Sequence, residues 1–128
     1  MSQKVKILIV DDEAFNLDIM SEYLLDAGYD VVVSEDGNSA LQNLDSNPDI
    51  SLILLDRMMP NMDGIQVAKK IKENSKFTNV PIIMQTAAAA INQQLEGMKS
   101  GVYAYIVKPY EDSELLTLVS QALNEAKK

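Results

Sequence analysis

The chain has 128 residues, a length that suits one domain with a real hydrophobic core. It contains no Cys and no His, which removes disulfides, thiol nucleophiles, cysteine and histidine zinc sites and every triad with an imidazole base, and leaves oxygen to hold any metal. A formal net charge of −8 opposes binding to nucleic acid, and the 47% hydrophobic content falls in runs too short to span a membrane.

The N-terminal apolar run leads straight into acidic residues with no signal-peptide cleavage pattern, so it reads as a first strand, Val5 to Val10, and a cytoplasmic location is the default. Asp11-Asp12-Glu13 end that strand. Leu17, Met20, Leu24 and Ala27 then form one apolar stripe of a helix, with Gly28 as its left-handed stop. Val31 to Ser34 is a second strand, Asp36-Gly37 turns the chain, and Ala40, Leu41 and Leu44 mark a second helix ended by Asn47-Pro48. Leu52 to Leu55 are consecutively apolar, the pattern of a strand buried on both faces, and the run stops at Asp56. Behind it lies a loop with Pro60 and Asp63-Gly64, followed by a third helix on Ile65, Ala68 and Ile71.

Residues Asn74 to Asn79 read as polar loop. Pro81 opens a fourth strand that runs to Gln85, since its missing N–H is tolerated at a first position. Ile91, Leu95 and Met98 outline a fourth helix, Tyr103 to Val107 a fifth strand broken by Lys108-Pro109, and Leu115, Val119, Ala122 and Ala126 a last helix. Strict alternation of strand and helix predicts an α/β fold, a parallel sheet covered by helices on both faces. Two common doubly wound strand orders remain open at this point.

In the order 2-1-3-4-5 a crevice opens above the carboxyl ends of the first and third strands, and both end in aspartate. Asp11 and Asp12 then meet Asp56. Three carboxylates in one crevice repel each other unless a cation joins them, and an oxygen-only set suits Mg²⁺, or Mn²⁺. The fourth strand end brings the Thr86 hydroxyl and the fifth brings the Lys108 ammonium. A cation, an amine and a hydroxyl around one carboxylate make a phosphoryl-transfer site. Taken singly, each residue has a plainer use: an aspartate before a helix caps it, and a lone lysine is a surface charge.

Asp11-Asp12, Asp56 with its MMPNMDG sequence, Thr86-Ala87 and Lys108-Pro109, in this order, closely resemble the receiver domain of two-component response regulators, the CheY-like family, from about Val5 to Ala126. The resemblance implies a single (βα)5 flavodoxin-like domain over residues 1–128, with strand order 2-1-3-4-5. It implies that Asp56 accepts a phosphoryl group from the phosphohistidine of a histidine kinase or phosphotransfer protein. Asp12 and Asp56 would bind Mg²⁺ directly, Asp11 mainly through water, and Met58 through its backbone carbonyl. Lys108 would contact a phosphoryl oxygen, Thr86 would donate its hydroxyl to the phosphoryl group, and Tyr105 would turn inward as the switch aromatic. Output would pass to a downstream protein through the fourth helix, fifth strand and last helix.

The chain ends within a few residues of its last helix, so no effector domain is expected and output goes through contacts. The alternative is a receiver cut from a larger regulator or hybrid kinase. A nucleotide- or flavin-binding module would place a Gly-rich or hydroxyl-rich loop where this chain has DDEAFN. A Mg²⁺-dependent aspartyl-phosphate phosphohydrolase needs a second acid or base near the nucleophile, and Met58 cannot serve. The expected role is therefore a phosphoacceptor signalling domain and not an enzyme.

Overall fold

Residues 5–57, 63–87, 101–108 and 110–126 are described by the computed structural model. Strands β1 (Lys6–Val10), β2 (Asp30–Ser34), β3 (Ile50–Asp56), β4 (Ile82–Ala87) and β5 (Ala104–Lys108) form one sheet in the order β2-β1-β3-β4-β5, every pairing parallel. Four helices accompany it among the described residues: α1 (Ala14–Asp26), α2 (Gly37–Ser46), α3 (Gly64–Glu73) and α4 (Asp112–Ala126), the last being the final helix read from the sequence. The predicted helix on Ile91, Leu95 and Met98 lies outside the described residues.

The alternation of side chains along each strand divides the core in two. Leu8, Val10, Ile53 and Leu55 pack with Ala40 and Leu44 of α2 and Ile65, Ala68 and Ile71 of α3. Ile7, Ile9, Leu52 and Leu54 pack with Leu17, Met20 and Leu24 of α1 and Leu115, Val119 and Ala122 of α4. The sheet is covered on both faces, which explains why β1 and β3 have continuous apolar runs and no alternation.

The helix ends follow local chemistry. Asp36 accepts a 2.7 Å hydrogen bond from Ser39 N–H and so caps α2, where the sequence suggests only a turn. Gly28 has φ +94°, the left-handed stop expected after α1. Four strand starts differ from the sequence reading by one residue, β1 at Lys6, β2 at Asp30, β4 at Ile82 and β5 at Ala104. Pro81 stays outside the strand but its carbonyl accepts a hydrogen bond from Ile53 N–H at 3.1 Å.

The larger difference is in the stretch read as polar loop. Ser75–Phe77 forms a 3₁₀ turn whose start is held by the Asn74 side chain accepting from Lys76 N–H, and Phe77 is only 1% exposed in the α2/α3 core. Lys72 Nζ donates to the carbonyls of Thr78 and Val80, closing the turn against α3. A single aromatic among polar residues has no periodicity to reveal it. Phe77→Ala is expected to cost about 3–5 kcal/mol by leaving a cavity, whereas Leu25→Ala, at a site 54% exposed, is expected to stay within about 0.5 kcal/mol. Urea unfolding of the two variants checks this, and equal midpoints would contradict the packing.

Candidate functional site

The site is built where the strands end. Asp56 is the last residue of β3 and is almost wholly buried, and Asp11 follows β1 and is fully buried. Asp11 does not occupy the cap position of α1, which belongs to Glu13. Its Oδ1 instead accepts from Glu13 N–H at 3.0 Å, and its Oδ2 lies 3.5 Å from Asn16 Nδ2. Asp12 is exposed beside it. One carboxylate oxygen from each of Asp11, Asp12 and Asp56 falls within a group whose members are all within 4.8 Å of one another.

Lys108, the last residue of β5, reaches across β4 to this group. Its Nζ donates to Asp56 Oδ1 at 3.3 Å and lies 3.6 Å from Asp11 Oδ2. Among the described residues three carboxyl groups, two of them buried, face one ammonium here. Such a group favours a further cation, and a set composed only of carboxylates fits a hard divalent ion. Met58 lies outside the described residues.

Thr86 is buried one residue before the end of β4 and is level with Val107, while Tyr105 is level with Met84. Residues paired in register share a face of the sheet, so Thr86 and Tyr105 both belong to the α2/α3 face, where Tyr105 packs half-buried against the core. Asp56 and Lys108 belong to the α1/α4 face. The sequence-predicted residues Asp11, Asp12, Asp56 and Lys108 are thus brought together, with Thr86 and Tyr105 adjacent across the sheet.

Four neighbours of the site carry no periodic signal in the sequence. Arg57, buried directly after Asp56, forms an ion pair with Asp63. Asp63 also accepts from Ile65 N–H at 2.9 Å as the cap of α3, a role that an Asp-Gly pair ahead of an apolar stripe would have suggested. The Arg57 carbonyl accepts from Gly64 N–H at 3.0 Å. Helix α3 consequently presses so close that a Cβ at Gly64 would collide with the Asp56 carbonyl oxygen.

The other two are Gln85 and Tyr110. The Tyr110 hydroxyl donates to Gln85 Oε1 at 2.5 Å. Burial pushes the Tyr110 phenol well above its usual pKa, with the charges of Asp11, Tyr23 and Asp56 adding to the effect. Both residues line a cavity of about 480 Å³ with Asn16, Met20, Tyr23 and Lys108, on the α1/α4 face beside the carboxylates.

A family model described as the response regulator receiver domain matches residues 7–120. Chemotaxis protein CheY1 of Helicobacter pylori is 37% identical over 107 residues, which cover 83% of this chain and 86% of that protein. The transcriptional regulatory protein ResD of Bacillus subtilis is 38% identical over 126 residues, 98% of this chain and 50% of that protein. A probable transcriptional regulator of Porphyridium aerugineum is 37% identical over 98% of this chain and 51% of its own length. The chain therefore spans about half the length of the transcriptional regulators it matches. Among solved structures, chemotaxis protein CheY4 of Vibrio cholerae superposes with a TM-score of 0.89 at 30% identity, covering 94% of this chain and 99% of that one.

The close approach of α3 to the strand end has a measurable consequence. Gly64→Ala is expected to destabilise the fold by about 1–3 kcal/mol, because the added methyl meets backbone that cannot rotate away. A change below about 0.5 kcal/mol in denaturant unfolding would show that α3 is not held against Asp56.

Proposed function

The chain belongs to the response regulator receiver domain family, and on that footing we propose that it is a phosphorylation switch of a two-component or phosphorelay system, charged at Asp56. The donor is a phosphohistidine on a histidine kinase or phosphotransfer protein. An Asp56 carboxylate oxygen attacks phosphorus, the P–N bond to the imidazole breaks, and the imidazole leaves with a proton. The product is an acyl phosphate on a strand end.

Lys108 offsets negative charge on the transferring group and afterwards pairs with a phosphoryl oxygen. Asp11, Asp12 and Asp56 would hold Mg²⁺ or Mn²⁺, with the Met58 backbone carbonyl as the further oxygen that the family resemblance implies, and the ion would supply further positive charge to the phosphoryl oxygens. Thr86 donates its hydroxyl to the phosphoryl group and Tyr105 turns inward behind it, so phosphorylation favours an arrangement of β4 and β5 that has contacts the resting one lacks.

The observation that carries this reading is the Lys108 ammonium standing 3.3 Å from Asp56 and 3.6 Å from Asp11, with Asp12 completing the carboxylate group. No separate use of these residues requires them to meet. Output is assigned to β5, α4 and the segment between β4 and β5, read by a partner protein without direct nucleic-acid contact. A surface cleft of about 510 Å³ along Tyr105, Val107, Glu114, Thr117 and Leu118 supports that choice.

Incubation with acetyl phosphate and Mg²⁺ is expected to label the chain to about one phosphate per molecule, and Asp56→Asn or Asp56→Ala to abolish the label. Label that persists in both variants would overturn the assignment of Asp56. Chelation of the metal is expected to stop labelling and its return to restore it. Continued release of phosphate over many cycles would instead indicate a hydrolase.

A further inference from the structure

We propose that the hydrogen bond from the Tyr110 hydroxyl to Gln85 Oε1 is a positioning device for phosphoryl transfer, holding the Lys108 ammonium on the Asp56 carboxylate. The inference rests on the reading of Asp56 as phosphoacceptor. Lysine has a long, flexible side chain, so a fixed ammonium needs its own backbone held. Lys108 is poorly placed for that, since it is the last residue of the edge strand β5 and forms the final register pair of that strand, with Ala87.

The support comes from two residues further on. Tyr110 packs half-buried against the α1/α4 core, and its hydroxyl returns to β4 to meet Gln85. Gln85 is itself tied to the phosphoacceptor strand: it stands level with Asp56, and its carbonyl accepts from Arg57 N–H at 2.9 Å. The contacts close into a circuit from Asp56 across the sheet to Gln85, through the hydrogen bond to Tyr110, back along the chain to Lys108, and from its Nζ to Asp56.

The polarity of Gln85 points the same way. The residue is 1% exposed, and its Nε2 has no hydrogen-bond partner among the described residues. An apolar residue of similar size at that position would avoid burying an unsatisfied amide, so packing alone does not call for Gln. Its Oε1, which receives the Tyr110 hydroxyl, accounts for the choice.

A purely structural bond would change stability, and the phosphorylation rate only through stability. A positioning bond changes the rate by itself. The test compares the unchanged chain with Tyr110→Phe, Gln85→Leu and the double variant, reading initial rates of labelling by acetyl phosphate at saturating Mg²⁺, with Mg²⁺ affinity by calorimetry and stability by urea unfolding. Each single change is expected to slow labelling about fivefold to tenfold, and the double variant to be no slower than the slower single. Mg²⁺ affinity is expected to stay within about twofold, because no metal-holding residue is altered. Gln85→Leu is expected to remain slow although it removes the buried unpaired amide, and it carries the same test if Tyr110→Phe folds poorly. Single variants with rates within about twofold of the unchanged chain, multiplicative effects in the double variant, or a fall in Mg²⁺ affinity that tracks the rate would each overturn the proposal. An unchanged chain that takes no label would overturn the underlying reading of Asp56 instead.

Discussion

The structure depends on how three carboxylates and one ammonium are held at the edge of a hydrophobic sheet. Asp56 is buried at the end of the central strand β3 and Asp11 just beyond the end of its neighbour β1, and both lie within reach of Lys108. Buried carboxylates are costly unless paired, so the ion group is a standing demand for positive charge at one place. Everything around it either delivers a charge to that place or keeps one there. The parallel sheet makes this possible because it sends every strand's carboxyl end to the same edge.

Rigidity at that edge comes from two sides. On the α3 side, the Arg57–Asp63 ion pair, the Asp63 cap and the close seat of Gly64 hold the start of the helix against the Asp56 backbone. On the α1/α4 side, Tyr110 and Gln85 tie the end of β5 back to β4. Asp56 therefore sits between two anchored flanks, while Thr86 and Tyr105 lie on the α2/α3 face of strands β4 and β5. The proposed switch would need both qualities: a fixed reacting centre and a neighbouring element with two arrangements.

Much of this was legible in the residues. Runs such as Leu52 to Leu55 mark strands because burial on both faces leaves no room for polar positions, and Leu17, Met20 and Leu24 mark a helix because they recur at its period. Asp11, Asp12, Asp56 and Lys108 stood out because each interrupts or ends an apolar run. Residue patterns alone left two sheet orders open, and the resemblance to receiver domains selected the one observed. Phe77, Arg57, Gln85 and Tyr110 were not legible, since each acts through a partner that local spacing does not specify.

What the sequence determined by itself was the alternation of strand and helix, the identity of the residues at the strand ends and, from the lack of Cys and His, the oxygen chemistry open to them. Only the tertiary structure decided which ends meet. Lys108 and Asp56 are 52 residues apart and touch because β4 lies between their strands in this sheet order. Tyr110 and Gln85 are joined because β5 pairs directly with β4. Strand and helix periods are set by the backbone over a few residues, whereas sheet order and side-chain hydrogen bonds are set by how the whole chain packs.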